Sequence, residues 1–173
     1  MIEVRWHARA GQGAKSAAQA LAMAALADGK SVQTFPEYGP ERRGAPLRAY
    51  TRIADRPIRR HDGVTEPDVV VVLEPSLVHE AGVAAGLKAE GVVLVNGEDQ
   101  IRLDGHVVRC IPAAKLAGAH GSGFVNLVML GAAAAAVGTP LEKTQAAAVR
   151  LLGKKAGAEP VARAVEEGYA WRS

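Results

Sequence analysis

The chain has 173 residues, 49% of them apolar, and a net charge of +3 from 21 basic and 18 acidic side chains: one domain in length, with material for a core that buries roughly two-thirds of the unfolded surface. So weak a positive balance, with 4% aromatic residues, excludes a nucleic-acid binder working through a basic face or base-stacking platforms. The single cysteine, Cys110, excludes a disulfide framework, a zinc site or an iron–sulfur cluster built within the chain, and suits a reducing cytoplasm.

In chain order, IEVRWHA (2–8) alternates, with Ile2, Val4, Trp6 and Ala8 on one face and Glu3, Arg5 and His7 on the other. That is a strand pattern. AKSAAQALAMAALADG then carries Ala17, Ala20, Leu21, Ala24 and Leu26 at helical spacing, with Gly29 as a stop. SVQTF (31–35) and RAYTRIA (48–54) read as strands. DVVVVL (68–73) and GVVLVN (91–96) are continuous β-branched runs, the mark of strands buried on both faces. SLVHEAGVAAGLKAEG between them fits a helix weakened by Gly82 and Gly86. HVVRCIP (106–112) is a further short strand, in which Cys110 reads as a buried, inert thiol. Helical stretches follow near 122–137, 140–153 and 159–170, the second opened by Thr139 and Pro140.

Buried strands alternating with helices predict an α/β fold: a single domain over residues 1–173, a mainly parallel sheet flanked by helices, Rossmann-like in plan. The polar face of the first strand conflicts with a central position, and Glu3, Arg5 and His7 are expected to meet a partner subunit or water. No targeting segment is expected, because Met1 leads directly into strand pattern. FVNLVMLGAAAAAVG (124–138) is 15 residues long, short of the ~20 that a membrane span takes.

HARAGQGAKS joins the first strand to the first helix. In such a fold ligands bind outside the carboxyl ends of the strands, near helix N-termini. Gly11 and Gly13 allow a tight turn and a close ligand, and Gln12 lies between them. The dinucleotide fingerprint G-x-G-x-x-G fails at Ser16, and a phosphate-binding G-x-x-x-x-G-K-[ST] loop fails at Ala8 and Ala14. A packed strand-to-helix turn and an anion site therefore both stand for this loop. The second loop, FPEYGPERRGAP (35–46), is stiffened by Pro36, Pro40 and Pro46 and carries Glu37, Glu41, Arg42 and Arg43. It leaves the sheet at the same edge, so a working surface and a solvated charged loop both stand, the three prolines favouring the first.

The two loops together carry a resemblance. GQG entering a small-residue helix, DGKSVQTFPEYGPERRGAPLRAYTRIADRPI, PDVVVVLEPSL and later FVNLVMLGAAAAAVG resemble the gamma subunit of the 2-oxoacid:ferredoxin oxidoreductases, over about residues 2–150. Gly-Pro-Glu-Arg-Arg-Gly is its most specific part. The family often has a further glycine where this chain has Ala10, and a small or β-branched residue where it has Lys15.

The resemblance implies a multi-subunit complex that decarboxylates a 2-oxo acid with thiamine diphosphate and magnesium, removes two electrons through iron–sulfur clusters, and transfers the acyl group to coenzyme A. Those cofactors would sit in alpha, beta and delta-type subunits, none of them bound by this chain alone. Ferredoxin would accept the electrons, or NAD through an added flavin subunit. Pyruvate is the default substrate, with branched or aryl acids such as phenylglyoxylate as alternatives.

The gamma chain would cover the active site. Its candidate substrate- and coenzyme-facing residues are Gly11, Gln12, Gly13, Tyr38, Gly39, Glu41, Arg42, Arg43, Gly44 and Asn126. Arg42 and Arg43 are forked donors for phosphate or carboxylate; either they meet a ligand or they pair with carboxylates on catalytic subunits. No residue is assigned a catalytic role. His7, His61, His79, His106 and His120 lack metal-ligand spacing, and Glu74, which ends a buried strand at the ligand edge, reads either as a support behind ligand-facing residues or simply as a turn. A stand-alone nucleotide- or anion-binding α/β module and a purely structural assembly subunit are the rival readings.

Overall fold

A computed structural model describes residues 1–37, 45–79, 82–118 and 122–171. Its six strands are β1 (Ile2–Arg9), β2 (Ser31–Glu37), β3 (Pro46–Ala54), β4 (Val69–Val72), β5 (Val92–Asn96) and β6 (Val107–Ile111). They form one sheet in the order β2-β3-β1-β4-β5-β6. β1, β4, β5 and β6 pair in parallel, while β3 runs antiparallel to both β1 and β2. β3 alone opposes the others, so the expected mainly parallel α/β domain is what forms.

The helices are α1 (Ala14–Ala27), α2 (Ala113–Gly118), α3 (Val125–Val137), α4 (Leu141–Ala156) and α5 (Ala158–Ala170). Their apolar residues gather with Val4, Trp6, Ala8, Val69, Val71 and Leu94 in one core on one face of the sheet. α1 stops where the sequence predicts. Gly29 takes φ 80°, its N–H donates to the Leu26 carbonyl at 3.0 Å, and the Lys30 N–H reaches Ala25 at 3.1 Å, the paired bonds of a Schellman motif. α5 crosses α3 at very close range. A Cβ on Gly168 would lie 1.8 Å from the Val128 carbonyl oxygen, and one on Gly131 would lie 2.0 Å from that of Val165.

Among the described residues the other face is covered by a 3-10 turn and loops rather than an α-helix, and two expectations are corrected there. The described residues of 76–91 do not form the expected α-helix. A short 3-10 turn at Pro75–His79 is followed, over the described residues, by turns with Gly82 at φ 93° and Gly86 at φ 71°. The Arg5 guanidinium captures carbonyls a helix would have used: Nη2 donates to Val83 at 2.8 Å and to Ala85 at 2.7 Å, and Nη1 to Val64 at 3.3 Å. A Cβ on Gly86 would sit 2.0 Å from the Thr65 carbonyl oxygen, so this segment is packed directly on its neighbour.

The polar face of β1 meets neither water nor an empty surface awaiting a partner. Glu3, Arg5 and His7 are 5%, 6% and 5% exposed within the chain itself. Arg52, wholly buried, donates to Glu3 at 2.8 Å and to Gln33 at 2.8 Å. Buried charges persist when paired and fully hydrogen-bonded, and the sequence supplies those partners from β3 and from the covering segments.

Candidate functional site

The carboxyl ends of β1, β4 and β5 reach one edge of the sheet, and short-range bonds shape the backbone there. β1 ends at Arg9, and the Gln12 N–H returns to the Arg9 carbonyl at 3.1 Å. The Gln12 side chain closes the same turn: its Oε1 accepts the Arg9 N–H at 2.7 Å. Gly11 at φ 101° and Gly13 at φ 81° supply conformations that other residues adopt only at a cost of roughly 1–2 kcal/mol. Gly13 is the N-cap of α1, and no side chain caps that helix.

From this turn the bonds run outward. Gln12 Nε2 donates to Glu74 Oε2 at 2.7 Å, and the Ser76 hydroxyl donates to Glu74 Oε1 at 3.2 Å. Arg9 Nη2 donates to the Ser76 oxygen at 3.2 Å. One strand further, Asn96 Nδ2 donates to the Leu73 carbonyl at 3.0 Å while its Oδ1 accepts the Ala114 N–H at 3.1 Å. Two side-chain amides thus stitch the edge, Gln12 between β1 and the end of β4, Asn96 between the end of β4 and the start of α2.

Asn126, 6% exposed near the start of α3, reaches the same place, with Nδ2 3.4 Å from the Gly13 carbonyl oxygen. Of the candidate residues, the structure therefore brings Gly11, Gln12, Gly13 and Asn126 together. Tyr38, Gly39, Glu41, Arg42, Arg43 and Gly44 lie outside the described residues, as does His120. The flanks of that second loop are in place: Glu37 ends β2 opposite Arg48, Arg48 pairs with His7, and the Ala10 N–H donates to the Ala45 carbonyl at 3.0 Å. The base of the second loop is thus bonded to the glycine turn.

Next to the glycine turn, β1 carries a buried polar group. His7 Nε2 accepts from Arg5 Nε at 3.1 Å, which leaves the ring proton on Nδ1. Burial, with the Arg5 and Arg48 charges, pushes its pKa down to about 3, so the ring is neutral at physiological pH. Tyr50 donates to the Glu37 carboxylate; burial and that bond push the phenol up to about 12. Cys110 is half-buried, its Sγ 3.4 Å from the Ile101 N–H. Among the described residues, no three His, Cys, Asp or Glu side chains converge as a metal site, and no helix is long and apolar enough to cross a membrane.

Sequence reasoning weighed Glu74 both as a support behind the ligand-facing residues and as a simple turn residue, and passed over Ser76 and Asn96. No local pattern marks them, because Glu74 and Gln12 lie 62 positions apart and Asn96 and Leu73 lie 23 apart.

A mostly parallel sheet whose carboxyl edge gathers a glycine turn, a helix start and the base of a second loop defines an α/β domain of the ligand-edge type. Comparison with known proteins makes this specific. The model of the pyruvate ferredoxin/flavodoxin oxidoreductase family matches residues 3–171. The pyruvate/ketoisovalerate oxidoreductases common subunit gamma of Pyrococcus furiosus is 44% identical over 178 residues, 98% of this chain and 96% of the relative. Pyruvate synthase subunit PorC of Thermotoga maritima is 42% identical over 180 residues, 97% of this chain and 93% of the relative. The crystal structure of the Thermotoga maritima pyruvate oxidoreductase subunit PORC superposes with a TM-score of 0.84 at 39% identity, covering 97% of this chain and 94% of that one. The chain belongs to the pyruvate ferredoxin/flavodoxin oxidoreductase family and groups with its gamma subunits, as an oxidoreductase subunit.

Proposed function

We propose that the chain is the gamma subunit of a complex that oxidatively decarboxylates a 2-oxo acid to its acyl-coenzyme A and passes the electrons to ferredoxin. Its relatives' names favour pyruvate and ketoisovalerate as the acids. Thiamine chemistry and cluster electron transfer belong to partner chains. The one thiol of this chain cannot ligate a cluster, and no step is routed through its residues. What the chain contributes is a shaped cover over the active site.

The observation that carries this reading is the Ala10–Ala45 hydrogen bond of 3.0 Å. It ties the glycine turn to Ala45, the residue that follows Tyr38–Gly44 in the chain. In this reading Arg42 and Arg43 serve as forked donors to the phosphates of coenzyme A or to the substrate carboxylate, and Tyr38 is the residue for the acyl or pantetheine chain. The Arg43→Ala variant, assayed in the assembled complex, tests it. A ligand role raises KM for coenzyme A about tenfold with kcat held and the complex intact. Dissociation of the complex instead means that Arg43 pairs with a partner chain and that the loop serves assembly.

A further inference from the structure

The hydrogen-bonded circuit between β1 and the end of β4 has a role that the cover function leaves unassigned. A side-chain amide has one accepting end and one donating end. The Arg9 N–H only donates and the Glu74 carboxylate only accepts, so these two partners, each at 2.7 Å, fix the Gln12 amide in a single orientation. Both oxygens of Glu74 are engaged, the second by the Ser76 hydroxyl at 3.2 Å, which in turn accepts from Arg9 at 3.2 Å. Bonds to a carboxylate are among the stronger ones. They act on a turn in which Gly11 and Gly13, on either side of Gln12, have positive φ and so the least conformational restraint of their own. Gln12 is the one side chain between them, and Glu74 is what holds it.

We propose that Glu74 is a positioning residue: through the Gln12 amide it holds the Arg9–Gly13 turn in the shape that the substrate-facing edge requires. The inference rests on the proposed function for the identity of what the edge faces, an anionic acyl carrier or a 2-oxo acid. A merely structural role for Glu74 lies in its backbone, whose carbonyl accepts the Leu77 N–H at 3.0 Å and starts the 3-10 turn. Substituting the side chain leaves that bond in place.

The test uses the assembled complex with Gln12→Glu and with the exchange Gln12→Glu/Glu74→Gln. The single substitution sets two carboxylates across a gap of 2.7 Å. The exchange rebuilds the circuit with its polarity reversed: the carboxylate at position 12 accepts from Arg9 and from the amide at position 74, whose oxygen still accepts from Ser76. The single variant is expected to raise KM for the 2-oxo acid or coenzyme A about fivefold with kcat within about twofold, and the exchange to bring KM back. An unchanged KM in the single variant, or no recovery in the exchange, overturns the proposal.

Hydrogen exchange of the Arg9 amide is the second readout. It should quicken in the single variant and slow again in the exchange; an unchanged rate overturns the proposal whatever the kinetics. A failure of the functional reading is seen separately, as a wild-type complex with no coenzyme A-dependent oxidation.

Discussion

Asn126 occupies the space that a side chain on Gly13 would need. A Cβ built on Gly13 falls 2.6 Å from Asn126 Nδ2, although 113 positions separate the two residues. The N-terminus of α1 and the start of α3 are thereby locked together at the ligand edge. Gly13→Ala adds this clash to the cost of a left-handed alanine and should destabilise the fold by about 2 kcal/mol or more. Asn126→Ala removes the clash, so the double variant should lose less than the sum of the singles. Thermal unfolding of all four forms measures the coupling, and strict additivity would show that the contact carries no energy.

The covering segments on the second face depend on Arg5. Its Nη2 and Nη1 donate to Val83, Ala85 and Val64, and its Nε to His7. Arg5→Met keeps the stem and leaves those carbonyls without their donor. A loss of about 3 kcal/mol or more is expected, from ~1–3 kcal/mol for each buried acceptor left unsatisfied. Amide exchange over residues 82–88 should quicken before that of the sheet.

How far the sequence could be read follows from these same residues. All six strands were legible, because alternation in β1 and β3 and the valine runs of β4 and β5 are local patterns. The segment 76–91 misled, because its helical spacing loses to a guanidinium more than 75 positions earlier and to the backbone contact at Gly86. α2, six residues long, is too short to show periodicity. At the site, the glycine turn was legible because the glycines are its cause. The Gln12–Glu74 and Asn96–Leu73 bonds were not, because strand order creates them and strand order is not written in any one stretch.

The α3–α5 crossing gives a sharper stability prediction. With only 1.8 Å from a Gly168 Cβ to the Val128 carbonyl oxygen, Gly168→Ala must push the helices apart. Since the obstacle is backbone rather than a movable side chain, a loss of about 3 kcal/mol is expected, the upper end of overpacking costs. A thermal midpoint within a degree of wild type would refute it.

His7 makes stability depend on pH. Its folded pKa of about 3 lies below the unfolded value of about 6.5, so in this window the unfolded chain binds the extra proton. Its contribution is intact above about pH 6.5 and is lost as pH falls toward 3. Between pH 6.5 and pH 5 the loss amounts to about 2 kcal/mol. His7→Gln keeps an acceptor for Arg5 and removes the titration, so its thermal midpoint should fall less over that interval than that of the wild type.

The central claim, that this chain acts as the gamma subunit of a 2-oxoacid oxidoreductase, is tested most directly by purifying the tagged chain from its own host and assaying what comes with it. The account predicts co-purification with thiamine-binding and cluster-bearing subunits, and coenzyme A-dependent oxidation of a 2-oxo acid by the assembly. A chain that emerges alone, stable and monomeric, with no such activity in its fractions, would contradict it.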